Sequence, residues 1–590
     1  MIDKLQRIKL THMSLALVGL MWVFPFLHFR HRYPLTTFDQ EWWSALLGVL
    51  ALTLLLARDG RGQAGIPRIV QLPVALIAVV LLQMAMGMTA YVGQGLLYML
   101  YLLFAALLMM LGARMRDCLG IDKVAMVLAI CLLTGAELSA LIGVLQHYRW
   151  HTLLDQVVVV KVSTGVYGNL AQPNHFANYI ALGLISLGLL FQQRKLHAAY
   201  VVLLAAPLLL VMTLSGSRSG WLYLLMMAAL AAWAGRGRPE LRPLLRYALL
   251  LLAGFAAMHG LVQLPFMQGA GNNYNIMQRM FGDAASGGVR LYLWHEAWLI
   301  FKQSPWLGAG FGQFSWQHFQ LGPLLQRTHL TGLYNNAHNL IFQLAAEAGI
   351  VGLFALFAAL GVWLNGLRRV SLTAAHWWGQ AVLGVLAVHS LLEYPLWYAY
   401  FVAVAAVLLG VLDETRYRMA WCGTARASLA AMLLLGLFSL LQLRSGYQQL
   451  KDTLAIRPAS ATAAAEVQQI RSGLVAVRRG MLLSPYAELF MSSYHEVNKD
   501  RLKQKLAMNE RVMRFMPVAS VVYRQAFLLA RNGQQAQAQR VWEQAIWSYP
   551  GNEEKREQLV KLAEKDPEHF SALLEFALQK EQEYLRAVHN

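Results

Sequence analysis

The chain is poor in charge, in cysteine and in acid. Only 14% of its 590 residues are Asp, Glu, Lys or Arg, against about 25% in an ordinary soluble chain, so a surface solvated by water all round is excluded. It has 3 cysteines. Cys118 and Cys422 fall in segments read as cytoplasmic, and Cys131 falls inside an apolar run. None lies in the large external segments, which excludes a disulfide framework. No group of Cys and His has metal-ligand spacing, so no metal and no other cofactor is expected. Acid is scarce: 31 Asp and Glu against 50 Lys and Arg, a formal charge of +19. That excess is not gathered into one stripe, which argues against nucleic acid. It sits in short clusters between apolar runs, where basic residues set membrane topology. A cleavable leader is also missing from the pattern. Residues 1–13 are basic, but the apolar run behind them is long and lacks a small-residue cleavage site, so a retained first span is expected.

What the chain has in abundance is apolar sequence, 57% of the total, in runs long enough to cross a bilayer, roughly 18 residues or more. The runs predict thirteen spans, at 12–29, 42–57, 69–90, 96–113, 124–147, 176–192, 198–214, 220–235, 247–265, 339–364, 378–392, 396–412 and 427–443. With the N-terminus in the cytoplasm, the cytoplasmic side collects Lys4, Arg7, Lys9, Arg58, Arg61, Arg68, Arg114, Arg116, Lys123, Arg194, Lys195, Arg236, Arg238, Arg242, Arg246, Arg368, Arg369, Arg416, Arg418 and Arg426. The opposite side up to residue 443 has only Arg30, Arg32, Arg149, Lys161, Arg218, Arg279, Arg290, Lys302 and Arg327. Twenty against nine sets the orientation. The expected fold class is all-α: a polytopic membrane helical bundle over 1–443, with a long external loop at 265–339, and a polar helical domain over 444–590 outside the cytoplasm. In that tail, Tyr523-Arg-Gln-Ala-Phe-Leu-Leu-Ala-Arg-Asn-Gly533 followed by Ala536, Ala538, Ala545 and Pro550 resembles one tetratricopeptide-type hairpin. A looser copy is expected from Ala461 to Pro485. Such hairpins bind protein or merely pack.

Four stretches carry chemistry. The external segment 148–175 ends in Tyr167-Gly-Asn-Leu-Ala-Gln-Pro-Asn-His-Phe-Ala-Asn178, a dense run of amides beside a span. Gln172, Asn174 and His175 there suit sugar hydroxyls or a phosphate; helix capping by Asn174 suits the same pattern. Ser215-Gly-Ser-Arg-Ser-Gly220 is a short external turn whose one charge is Arg218. An arginine at such depth is costly and usually serves a site, and its fork matches phosphate; a snorkelling arginine is the alternative. The long external segment carries Gly288-Val-Arg-Leu-Tyr-Leu-Trp294, Ser304-Pro-Trp-Leu-Gly-Ala-Gly-Phe-Gly312 and Asn335-Asn-Ala-His-Asn-Leu-Ile-Phe-Gln343, then Glu347 and Gly349. Gln343 and Glu347 share one helix face. His338, at the outer boundary, is able to take a proton near neutral pH, or simply to cap a helix. His175 occupies a similar boundary and is its rival as a base; His329 and His389 rank below, His389 being expected to pack inside a span. Last, His389-Ser-Leu-Leu-Glu-Tyr-Pro-Leu-Trp-Tyr-Ala-Tyr-Phe401 has an aromatic belt that explains Trp397 and Tyr398 but not Glu393.

In this order the four stretches resemble the O-antigen ligase / polymerase superfamily of inner-membrane glycosyltransferases, and most of all its PglL-type protein O-oligosaccharyltransferases. The points of match are 172–175, Ser217-Arg218, Arg290 with Trp294, Pro305 with the glycines behind it, His338-Asn339, Glu347 with Gly349, and Leu392-Glu-Tyr-Pro-Leu-Trp-Tyr398. The resemblance implies a GT-C-like bundle in the bacterial inner membrane. It implies an undecaprenyl-diphosphate-linked glycan as donor, and en bloc transfer in the periplasm to a Ser or Thr hydroxyl, often of type IV pilin. On that reading His338 is the general base and Arg218 and Arg290 hold the diphosphate. Gln172, Asn174, His175, Asn339, Glu393 and Tyr394 orient donor or acceptor. The alternatives are a ligase or polymerase acting on lipid A core or lipid-linked glycan, a polytopic transporter or flippase, and a non-enzymatic assembly scaffold. Unusual polar residues gathered at one membrane face disfavour the transporter, which needs them mid-span.

Overall fold

The computed structural model describes residues 2–58, 62–162, 164–267, 284–328, 330–456 and 464–589. Arg61, Arg279, His329 and Ala461 lie outside the described residues, as do 268–283 of the long external segment and 457–463 of the tail.

Each predicted span coincides with a helix: Ile2–Met21, Phe38–Arg58, Gln71–Ala85, Val92–Leu119, Ile121–Tyr148, Pro173–Gln192, Ala198–Leu214, Ser219–Gly237, Arg242–Leu261, Leu340–Leu367, Ala374–Ser390, Ala399–Leu412 and Gly423–Ala455. The molecule is an all-α, multi-pass membrane protein. Among the described residues, 8 helices are both long and apolar enough to cross a membrane. One departure from the all-helical expectation is a two-stranded antiparallel ribbon, Gly62–Pro67 against Arg416–Trp421, with Gly62 opposite Trp421 and Pro67 opposite Arg416. Residues this far apart in the chain leave no trace of pairing in local periodicity. Beside the ribbon, Asp413 accepts the Ile69 N–H at 2.8 Å and Arg116 pairs with Glu414 at 2.6 Å.

The chain forms two compact units. The first comprises Met1–Val74, Tyr101–Ala284 and Ala355–Leu440. Helix Pro173–Gln192 is its centre, buried at every position from His175 to Leu190. A helix apolar all round belongs in the middle of a bundle, and helices Ile121–Tyr148, Ala198–Leu214, Ser219–Gly237, Arg242–Leu261 and Ala374–Ser390 pack around it. Small residues allow the approach, since lipid supplies no hydrophobic drive between helices. A side chain at Gly183 would run into Ala136, and one at Gly135 into the Tyr179 hydroxyl.

The second unit comprises Ala75–Leu100, Ala285–Phe354 and Leu441–Asn590. Residues 285–339 of the long external segment and the tail therefore belong to one compact body, and the expected boundary at 443/444 falls inside helix Gly423–Ala455. Tail helices Ala519–Arg531 and Gln535–Ser548 form a hairpin. Gly533 turns it with φ +77°, a left-handed conformation that glycine adopts without strain. Inside it, Tyr523 meets Trp542 edge-on at 4.8 Å, over Ala526, Ala530, Ala538 and Ala545, all fully buried. Phe319 of the external segment is part of this core, and Gly332 N–H donates to Ser548 at 2.7 Å. In the same unit Glu488, 3% exposed, accepts from Tyr91 at 2.8 Å and pairs with Arg478 at 2.8 Å and Arg511 at 3.1 Å.

Candidate functional site

The expected site residues divide between the units. In the first unit, Pro173 starts its helix and the preceding Gln172 side chain caps it by accepting the His175 N–H. Capping by Asn174, the alternative to a binding role, is not what the structure has, because Asn174 faces two other segments. Its Nδ2 donates to Glu393 Oε1 at 2.7 Å, and its Oδ1 accepts from the Ser217 hydroxyl at 2.8 Å. One amide thus joins three stretches that lie apart in the chain. Arg218 follows Ser217 directly, is exposed, and stands at the N-terminus of helix Ser219–Gly237. Elsewhere in the run the amides serve the fold. Asn169 donates to Leu27 O and Val157 O and accepts from Val159 N–H. Gln146 brackets Gly168 from both of its ends, at 2.8 and 2.9 Å.

His175 is 1% exposed. Its Nδ1 lies 2.8 Å from His389 Nε2, and His389 Nδ1 lies 2.8 Å from the Tyr223 hydroxyl. The His175 ring is walled by Tyr394 at 6.0 Å, Tyr398 at 5.1 Å and Phe401 at 5.2 Å. His389, expected to pack inside a span, is fully buried in helix Ala374–Ser390; its polar partner Tyr223 was not among the candidates. Its partners His175 and Tyr223 lie 214 and 166 positions away, so no local spacing signals them.

The second unit carries His338, Asn339 and Arg290. His338 has φ +52°, a left-handed conformation uncommon outside glycine, and such strain persists only where neighbours over-determine it. Three amides do so. Asn336 Oδ1 accepts the His338 N–H at 2.8 Å. Gln343 Oε1 accepts the Ala337 N–H at 2.7 Å. Asn339 Oδ1 caps helix Leu340–Leu367, accepting from Ile341 at 3.0 Å and Phe342 at 3.2 Å. His338 is therefore not the cap; its side chain is half-buried while Asn336, Asn339 and Gln343 are buried. Arg290 lies one turn before Trp294 on helix Ala284–Gln303, and Trp294 stacks on Phe342 at 5.5 Å. Leu293, Ala297, Leu330, Ala337 and Ala346 pack in one core that ties this helix to the His338 turn.

The glycine-rich stretch and the Glu-x-Gly stretch are one joint. Helix Leu340–Leu367 breaks at Gly349, φ +63°. Breaking a helix strands carbonyls on one side and N–H groups on the other, and residues 305–310 satisfy both. Ala309 and Gly310 donate to Ala346 O and Glu347 O, while Ile350 and Val351 donate to Pro305 O and Trp306 O. Glu347, 2% exposed, receives the Phe314 N–H at 3.2 Å. Gln83 bridges the same joint, donating to Leu307 O and Glu347 O at 2.7 Å each. A side chain at Gly308 would meet the Glu347 backbone, and one at Gly349 the Trp306 backbone.

A charged cluster that sequence reasoning also missed lies behind the His338 loop. Glu296 holds His318 Nδ1 at 2.6 Å and Arg327 Nη1 at 2.8 Å, with all three side chains at 4% exposure or less. Arg327 also donates to His318 O at 2.8 Å. Burial lowers the Arg327 guanidinium from its ordinary value and Glu296 opposes that shift. Glu296 and Arg327 are 31 positions apart in the chain, so nothing in their spacing advertises them.

Three family patterns match the chain. One described as Protein glycosylation ligase covers residues 166–191, which include Gln172, Asn174 and His175. One described as O-Antigen ligase covers 202–357, with Arg218, Arg290, His338 and Asn339. One described as Virulence factor membrane-bound polymerase, C-terminal, covers 377–564, with Glu393 and Tyr394. Among individual proteins, a General O-oligosaccharyltransferase of Acinetobacter baylyi is 29% identical over 419 residues, 69% of this chain and 70% of that protein. A ComP-specific O-oligosaccharyltransferase of the same organism is 24% identical over 246 residues, 42% of this chain and 43% of that protein. The chain is thus a multi-pass membrane protein that is similar, over residues 202–357, to the O-Antigen ligase pattern. Over most of its length it resembles the PglL-type protein O-oligosaccharyltransferases.

Proposed function

We propose that this chain is a protein O-glycosylation ligase that moves a glycan en bloc from undecaprenyl diphosphate to a Ser or Thr hydroxyl of a periplasmic protein such as type IV pilin. It sits in the bacterial inner membrane with thirteen spans, and its candidate site and tail face the periplasm. The observation that carries the reading is the similarity to a general O-oligosaccharyltransferase along 69% of the chain. The over-determined left-handed turn at His338 supports its role. A hydroxyl is a poor nucleophile and needs a base within hydrogen-bond reach. His338 takes the acceptor proton as the hydroxyl oxygen bonds to the anomeric carbon. The bond from that carbon to the phosphate oxygen breaks, and lipid diphosphate leaves with the electron pair. Arg218 and Arg290 stabilise the charge that develops on it. Gln172, Asn174, His175, Asn339, Glu393 and Tyr394 orient the reactants, and a single displacement inverts the anomeric centre.

The matches named for a ligase and a polymerase favour one second reading, transfer to lipid A core or to another lipid-linked glycan. Expression in a host that supplies a lipid-linked glycan, with a candidate pilin and lipid A core both present, separates the two. Glycan on the protein alone is the expected result. Glycan on the core alone overturns the protein-directed reading.

A further inference from the structure

The second unit holds a groove of about 460 Å³ that the proposed chemistry does not use. One wall is Thr331 and Gly332, in the loop that leads to His338. The other is the end of the tail hairpin: Ala519, Ser548, Tyr549 and Glu553, with the 550–552 turn between them. Its two walls are tied together at the base by the Gly332–Ser548 backbone bond, 2.7 Å.

Two observations say what kind of ligand fits. Ser548 is 1% exposed, yet its hydroxyl has no hydrogen-bond partner among the described residues. A buried hydroxyl left unpaired is unfavourable, so a donor or acceptor carried to it by a ligand in the groove would be favoured. The second is charge. The lining has no cation, and its one ionisable acid is the exposed Glu553 carboxylate, which makes no ion pair among the described residues. That disfavours an anionic ligand such as the donor diphosphate or a phospholipid headgroup. A polypeptide in extended form offers an N–H and a C=O at each residue, about every 3.3 Å, and a basic side chain on it would answer Glu553. From Gly332 to His338 is six residues, so the groove lies within roughly 22 Å of the base.

We infer that this groove binds an extended segment of the acceptor polypeptide, with a basic residue set against Glu553, and so feeds the hydroxyl towards His338. The inference rests on the protein-directed reading above. Its test uses the full-length enzyme in detergent or proteoliposomes with a lipid-linked glycan and the whole acceptor protein. Thr331→Trp fills the groove from an exposed position, and Glu553→Arg reverses its charge. For both variants the acceptor KM should rise about tenfold while kcat at saturating acceptor stays within twofold of wild type. A photocrosslinker placed at Glu553 should capture the acceptor, and one at the exposed Lys561 should not. If wild type modifies protein, but both variants keep the wild-type KM or the Glu553 crosslink is absent, the groove assignment is overturned and the function stands. If wild type modifies only lipid, the function itself fails and the groove assignment fails with it.

Discussion

Removing the Arg327 guanidinium should loosen the loop that carries His338. Glu296 and Arg327 have side-chain exposures of 1% and 4% and lie 2.8 Å apart. Breaking a buried pair from one side costs about 3–5 kcal/mol, because the remaining charge stays desolvated without its partner. Arg327→Ala leaves the Glu296 carboxylate with His318 alone, and it removes the bond from Arg327 to His318 O. The residues that feel it directly are those the cluster anchors: His318, which approaches Gly332 O at 3.4 Å and meets Tyr334 at 5.5 Å. At 1.4 kcal/mol per tenfold, local opening of 330–339 should rise by roughly two to four orders of magnitude. Amide hydrogen exchange on the purified protein reads this directly. The double variant Glu296→Gln/Arg327→Met is the control, since it removes both charges and keeps an acceptor for His318. It should be milder than Arg327→Ala by about 2 kcal/mol or more. Equal exchange in 330–339 for wild type and Arg327→Ala would refute the anchoring. A double variant as damaged as the single one would refute the charge argument.

Four further outcomes are expected. Gly349→Ala should cut the yield of folded protein, since φ +63° with ψ −159° is a conformation essentially restricted to glycine and costs another residue about 1–3 kcal/mol before the Trp306 backbone is met; a normal yield and melting temperature would show that the joint tolerates a side chain. His338→Ala should lower single-turnover transfer about 10²–10⁴-fold, and finding that loss instead in His175→Ala would transfer the role of base to His175. Arg290→Lys should lose most activity while still accumulating, because lysine keeps the charge without the planar fork; full activity would mean that the fork is not used. Burial, then Lys505, Arg524 and Arg471, lower the His495 imidazole to about 4. The fold therefore favours its neutral form, and stability present above pH 6.5 is lost as pH falls from there towards 4. Exchange in helix Ser484–Ser493 should speed up over that window in wild type and not in His495→Asn.

The helices were legible one at a time, and the joints between them were not. Runs such as Leu182–Leu190 declare a span because a bilayer asks only for length and apolarity. The candidate residues were found because polar groups at a membrane boundary are rare enough to stand out. Capping was the weak point. Gln172 and Asn174 are equivalent on paper, and the choice between them depends on Glu393 and Ser217, which the chain brings from elsewhere. His389 was set aside as a packing residue because its partners, His175 and Tyr223, are 214 and 166 positions away.

By itself, then, the sequence determined the class: many apolar helices, their basic flanks, and a polar helical tail, all properties that a local window of chain encodes. The tertiary structure alone decided which amides are brackets and which face other segments. It decided that residues 305–310 complete a helix broken at Gly349, and that the long external segment shares one core with the tail. The reason is physical. Hydropathy acts on each segment independently, whereas a buried hydrogen bond or ion pair needs two partners within about 3 Å, and only the folded chain sets which two those are.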